Sequence, residues 1–192
     1  MKKYSLLLAA MLLVVFSAAA FASSWNSKHV SYHGMSIGLP RDARVVGEEL
    51  SKRNGDSKLH MTSYKTKVHS LPFIILASDK NHSRYADLSI RDVERSSKRE
   101  KQLLQDADNM DDYFGYQQSR NKEIEYTKIN GYRCAYCESK VTDDDGNRYS
   151  VFHAFFIEHG TKYAVAFARK KGGDHNEQQR IIDAVGSTVD FD

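Results

Sequence analysis

The chain has 192 residues and a formal net charge of +3. Two of its 28 lysines and arginines, Lys2 and Lys3, lie in the first 22 residues, so the other 170 carry 26 basic against 25 acidic residues, a charge of +1. That length, with only two prolines and no repeat, suits one domain with a real core, and the charge balance argues against nucleic acid as a partner.

The N-terminus reads as a targeting segment. Lys2-Lys3 form a positive start, Leu6 to Phe16 an apolar run, and Ala20-Phe21-Ala22 an A-x-A cleavage site, so a signal peptide over 1–22 leaves a domain over 23–192 beginning at Ser23. The run is shorter than the roughly 18 residues of a membrane span. Export to a periplasm or beyond, with no membrane span, is expected.

Val30 to Leu39 reads as a strand pair or bent strand closed by Pro40, which cannot donate to a ladder. Arg44–Leu50 and Lys58–Tyr64 flank Asn54-Gly55, a strong hairpin signal. Pro72 opens Phe73-Ile-Ile-Leu-Ala77, an apolar run suited to a central strand buried on both faces. Ser89 with Asp92 can cap a long helix whose apolar positions are Ile90, Val93, Leu103, Leu104 and Ala107. Its middle, Glu94 to Gln102, has no apolar residue and must be solvated. Asp106 to Asp112 reads as a loop, and Tyr113–Gln118 and Lys122–Ile129 as weaker strands.

Asn130-Gly131 then turns into Tyr132–Val141, and the acidic turn Asp143–Asn147 leads to Tyr149–Ile157. His159-Gly160 leads to Tyr163–Ala168, and Asp174 with Glu177 caps a last helix with Ile181, Ile182 and Val185 as its stripe and Gly186 at its exit. Val189–Phe191 can return as a short edge strand. In the Tyr149–Ile157 strand, Val151, Phe155 and Ile157 point one way and Phe152, Ala154 and Phe156 the other, so both faces need cover. With two helices available, the expected fold is α+β: a twisted, mostly antiparallel sheet covered by helices on both faces, an α/β/α sandwich.

This order of elements resembles the PsbP-like family, whose fold is shared with Mog and with DcrB-type periplasmic proteins. The likeness is carried by Ser36-Ile-Gly-Leu-Pro40, the mid-chain helix, Ile129-Asn130-Gly131 before a strand, the hairpin Thr142-Asp-Asp-Asp-Gly146, and Ile181-Ile182-Asp183 followed by Val189-Asp190-Phe191. It spans nearly all of 23–192. Where the family's early strand usually continues into Gly-Trp after the proline, Arg41-Asp42 stands here. The family shares no catalytic residues, so the resemblance implies a fold and a bacterial exported protein, with almost no chemistry.

Four patterns suggest chemistry and fail on context. Cys134-x2-Cys137-x15-His153-x5-His159 has loose zinc-finger spacing, but a finger needs both histidines on a helix, and His153 lies in an apolar strand. With Asp145-Gly146 as a two-residue turn, Glu138 faces His153 and Cys137 faces Ala154, so Cys137 points away from His153; a shift of one residue would bring them together. As a redox dithiol, Cys134-Ala-Tyr-Cys137 lacks the helix N-terminus that activates such thiols. The two sit three apart on a strand, about 10 Å between Cα atoms, beyond the roughly 7 Å of a disulfide, so either the strand bulges or the thiols are free and half-buried.

Gly34-Met-Ser-Ile-Gly38 matches G-x-S-x-G, yet a nucleophile elbow needs a following helix, not a strand ending in Pro40. Asp143-x-Asp145-x-Asn147 starts like a calcium loop, but Arg148 stands where glycine belongs and Ala154 where glutamate belongs. Whether this turn takes calcium is left open. Two softer features remain. Tyr113, Tyr116, Tyr126, Tyr132, Tyr136, Tyr149 and Tyr163 suit a ligand groove or simply finish a thinly covered sheet. The solvated segment Arg91 to Lys101 could dock an anionic surface, although such helices are usually just wet.

The expected function is therefore an exported, non-enzymatic binding or accessory module of the cell envelope, with a protein or envelope component as partner. No catalytic residue, metal or cofactor is assigned, and ligand-binding residues are unspecified. The alternatives are a metal- or thiol-dependent protein using Cys134, Cys137 and His153, and a carrier of a small apolar ligand.

Overall fold

The computed structural model describes residues 27–53, 57–67, 71–79, 82–112, 114, 123–172 and 175–192. The segment read as a signal peptide, the Asn54-Gly55 turn, the Asp174 cap and most of the Tyr113–Gln118 segment lie outside these residues. In chain order the elements are β1 (Ser27–Tyr32), β2 (Met35–Pro40), β3 (Arg44–Arg53), β4 (Ser57–Lys65), β5 (Phe73–Asp79), α1 (His82–Tyr85), α2 (Ile90–Glu94) and α3 (Ser97–Asp111). There follow β6 (Glu125–Ile129), β7 (Tyr132–Thr142), β8 (Arg148–Glu158), β9 (Thr161–Lys170), α4 (His175–Gly186) and β10 (Asp190–Phe191).

Tight turns set most of the topology. His33-Gly34, Asn130-Gly131 and His159-Gly160 each have positive φ at both residues and close two-residue hairpins, with Tyr32↔Met35, Ile129↔Tyr132 and Glu158↔Thr161 as the flanking pairs. Two positive φ values in succession match the right-handed twist of the strands, which is why glycine follows at the second position each time. The main sheet has seven strands in the order β3-β4-β5-β9-β8-β7-β6, and each pairing is antiparallel. A second sheet, β1-β2-β10, has three strands.

The expected α/β/α sandwich is not what forms. One face of the main sheet is covered by α1, α2 and α3, whose Tyr85, Ile90, Val93, Leu103, Ala107 and Met110 pack on it. The opposite face is covered by the second sheet, through Met35, Ile37, Leu39 and Phe191, with Ile182 and Val185 of α4 beside it. The apolar side chains of β8 correctly demand cover on both sides, but a sheet satisfies that demand as well as a helix does. The alternate residues Met35, Ile37 and Leu39 form a fully buried stripe that has to pack against something.

The helical side also differs from its sequence reading. Asp92 Oδ2 accepts from both the backbone N and Oγ of Ser89, so the start of α2 is capped as expected. The helix then breaks at Arg95-Ser96, where Ser96 is extended and serves as N-cap of α3. The supposed loop from Asp106 is helical to Asp111, because its carboxylates have partners in the sheet below. Leu103, Asp106, Ala107, Met110 and Asp111 form the buried stripe of α3. On the same face of the sheet β9 presents Ala164, Ala166 and Ala168, while its other face presents Tyr163, Val165 and Phe167.

Candidate functional site

Thr142 pairs with Arg148, so the β7–β8 connection is a five-residue loop, 143–147, and not a two-residue turn. That moves the register by one: Cys137 lies opposite His153, and Glu138 opposite Phe152, correcting the pairing expected from sequence. Cys137 and His153 therefore share the helix-covered face. Cys134 packs into the other face of the sheet, since residues three apart on a strand point to opposite sides. Neither cysteine is in a disulfide, and both are buried. Burial alone pushes the Cys134 thiol up to about 12, the reverse of what a reactive thiolate needs. His159 sits in its hairpin turn at the far end of β8.

His153 belongs to a constellation that sequence reading missed. Its Nε2 donates to Asp111 Oδ1 at 2.9 Å, and Ser139 Oγ donates to the same oxygen at 2.8 Å. Ser139 Oγ is also 3.2 Å from His153 Nε2. The residue types are those of a hydrolytic triad, but the arrangement is not. A triad base is held through one ring nitrogen and takes a proton with the other. Here acid and hydroxyl crowd the same nitrogen, Nδ1 has no hydrogen-bond partner among the described residues, and all three side chains are sealed from solvent. The trio binds α3 to the sheet.

A second buried knot involves Lys162, near the start of β9 and 3% exposed. Its Nζ donates to Asp106 Oδ2 at 2.6 Å and lies 3.7 Å from Asp79 Oδ2. Tyr85 donates to Asp79 Oδ2 at 2.9 Å and offers its ring face to the ammonium at 5.4 Å. Burial lowers the lysine pKa, but Asp106, Tyr85 and Asp79 together outweigh it and hold the ammonium above the ordinary lysine range. Tyr85 is pushed up by its own burial, which keeps its hydroxyl protonated and donating.

Tyr85 and Lys162 of this second knot also line a cleft of about 470 Å³ between α1, α2 and α3. Tyr85, Val93, Leu103 and Ile157 are its buried apolar lining residues, Leu88 is half-buried at the side, and Arg84, Lys98 and Arg99 stand exposed around the mouth. Every charged side chain lining it is a cation. The acidic residues of α2 and α3 are engaged elsewhere: Asp92 holds Ser89, Glu94 pairs with Arg133, and Glu100 accepts from Tyr126 at 2.7 Å. Of the cations in Arg91–Lys101, Lys98 and Arg99 line the cleft, and Arg99 also donates to Asp92 O at 3.2 Å.

Two other hollows have mixed lining. One of about 690 Å³ shares Leu88 and Ile157 with the cleft, but sets Glu158 among Arg91, Lys128 and Arg133. Another, of about 490 Å³, holds His33 and His60, with ring centroids 5.4 Å apart, beside Glu48. Among the described residues no three His, Cys, Asp or Glu side chains group as a metal site. In the acidic turn, Asp143 accepts from Asn147 N at 2.7 Å and from Tyr149 Oη at 2.9 Å, so the carboxylate holds its own loop together. Ser36 lies in β2, followed by strand residues and no helix. The described tyrosines mostly act as ties: Tyr163 donates to His33 O at 3.0 Å, Tyr132 to Asp190 and Tyr136 to Glu125.

No described helix is long and apolar enough to cross a membrane. No family model matches the chain, and no curated protein does. A solved structure from Bacteroides thetaiotaomicron VPI-5482, at 1.50 Å resolution, is similar with a TM-score of 0.49 and 16% identity, over 83% of this chain and 45% of that one. The chain thus spans less than half the length of that protein.

Proposed function

We propose that the chain is an exported, non-enzymatic binding module of the cell envelope, and that it takes an anionic component in the cleft beneath Arg84, Lys98 and Arg99. One observation carries this reading: the cleft is concave, its exposed lining residues Arg84, Lys98 and Arg99 are all cations, and no carboxylate is among its lining residues. Preformed hollows of this size with a few convergent polar groups are the usual form of a ligand site. The signal-like N-terminus supports export. The likeness to PsbP-like proteins belongs to the same proposal, through the Leu39-Pro40 end of β2 and the Asn130-Gly131 turn into β7. The cysteine chemistry is the poorer alternative, because Cys134 and Cys137 face opposite sides of the sheet.

The test is native mass spectrometry of the protein recovered from the exported fraction. The expected result is a chain beginning at Ser23 that carries, or takes up from a panel of anions, an acidic ligand. The R84E/K98E/R99E variant loses that ligand without a change in thermal melt. A chain retained in the cytoplasm with residues 1–22 intact, or one that binds no anion, would sink the proposal.

A further inference from the structure

Resting on the reading of this cleft as an anion site, we infer that its ligand is a linear phosphate polymer lying across the cleft and the depression beside it, held by cations on both. The two hollows, about 470 and 690 Å³, have Leu88 and Ile157 in common among their lining residues, so they adjoin. Exposed Arg84, Lys98 and Arg99 line the first, and exposed Arg91 and Lys128 line the second. Arg133 also lines the second, but shares its charge with Glu94. The carboxylate among the two sets of lining residues is Glu158, half-buried beside His159.

These cations are segregated from acid. Residues 23–192 carry 26 basic against 25 acidic side chains, so a cationic groove is no reflection of overall charge. The run Asp143-Asp144-Asp145 precedes Arg148 at the start of β8, whereas Ile157 lies toward the far end of that strand, about 30 Å away at the rise of an extended chain.

Each exposed cation keeps most of its water, so a single ion pair with it is weak. A compact anion meets the cations of one hollow and leaves those of the other unneutralised. An anionic chain recruits the second set intramolecularly, at the effective concentration of a tethered ligand. Phosphate units suit this better than the carboxylates of an acidic peptide, which must order a flexible side chain for each charge placed. A run of bases would need a row of open aromatic faces. Tyr85 is 5% exposed, which leaves His159 alone among the lining residues.

The test is isothermal titration of the purified protein with long-chain polyphosphate, tripolyphosphate, polyglutamate and oligothymidylate, with concentrations counted per charge. Long-chain polyphosphate is expected to bind at least about tenfold more tightly than any of the others. Its affinity falls with salt on a log–log slope of about −3 or steeper, the value for about four neutralised phosphates. K98E/R99E in the first hollow and R91E/K128E in the second each weaken it by about tenfold or more with an unchanged melt. R91E/K128E leaves tripolyphosphate within about twofold of wild type, because the short anion occupies the cleft alone.

Tripolyphosphate binding as tightly per charge, or R91E/K128E leaving long-chain polyphosphate unaffected, confines the ligand to the cleft and overturns the inference while the anion site stands. Polyglutamate or oligothymidylate binding as tightly overturns it as well. A salt slope flatter than about −1, a single contact, overturns it whatever the variants do. If no anion binds at all, the inference falls together with the proposed function.

Discussion

Asp111, the last residue of α3, holds His153, in the middle of β8, through a 2.9 Å contact between Oδ1 and Nε2, and both side chains are fully buried. Ser139 on β7 donates to the same carboxylate oxygen. The contact pins the C-terminal end of the helix to two adjacent strands. Since the cleft lies toward the other end of α3, the pin also fixes the pitch at which Lys98 and Arg99 are presented.

Removing the acceptor should therefore be costly to stability. Asp111→Ala removes the acceptor that Ser139 and His153 share, leaving them only their mutual 3.2 Å contact, and is expected to lower the unfolding free energy by about 2–3 kcal/mol in urea titration. A loss below about 0.5 kcal/mol, the range of ordinary surface changes, would show that the trio does not hold α3 to the sheet.

Lys162→Met strands Asp106 and Asp79 in the interior and is expected to cost about 3–5 kcal/mol. Removing Asp106 together with the lysine, as in K162M/D106L, should restore part of that loss, since one of the uncompensated charges goes with it. The pH dependence has a definite sign. The lysine's folded pKa is raised, so its contribution is complete below the ordinary lysine value of 10.5 and disappears as pH climbs beyond it. Alkaline melts should show this loss in the wild type and not in the double variant.

Cys134 should behave as an inert thiol. In the native protein neither cysteine should react with a disulfide reagent on the timescale of minutes, and both should titrate in denaturant. Mild oxidation should form no Cys134–Cys137 bridge, since the two face opposite sides of β7. With the Cys134 thiol raised from 9.0 to about 12 on folding, stability owed to its neutral form is intact below pH 9 and declines between pH 9 and 12. Cys134→Ala should remove that alkaline component.

The hairpin glycines should differ in sensitivity. Gly131 has φ +86 with open space where a Cβ would stand, so Gly131→Ala meets backbone strain alone, about 1–2 kcal/mol. At Gly34, φ is +98 and a Cβ would lie 2.9 Å from the Tyr163 hydroxyl, which is bonded to His33 O. Gly34→Ala should lose more than Gly131→Ala in thermal denaturation, because the Tyr163 contact must also give way.

The sequence by itself determined what local chemistry dictates. Asn130-Gly131 and His159-Gly160 announce their turns, because few residues tolerate two positive φ values in succession. The Phe73–Ala77 run announces a buried strand, and Ser89 with Asp92 a helix start. The two-sided burial of β8 was legible in the alternation of Val151, Phe152, Ala154 and Phe155. What covers each face was not, because an apolar strand face is satisfied by a helix or by another sheet, and only the long-range pairing of β10 with β2 decides between them. The same holds for the charged residues. Asp106 and Asp111 look like loop residues until Lys162 and His153, more than 40 positions later, are brought beneath them. The register of His153 hung on whether the β7–β8 connection has two residues or five, and Glu94 and Glu100 are drawn away from the cationic cleft by Arg133 and Tyr126, far along the chain.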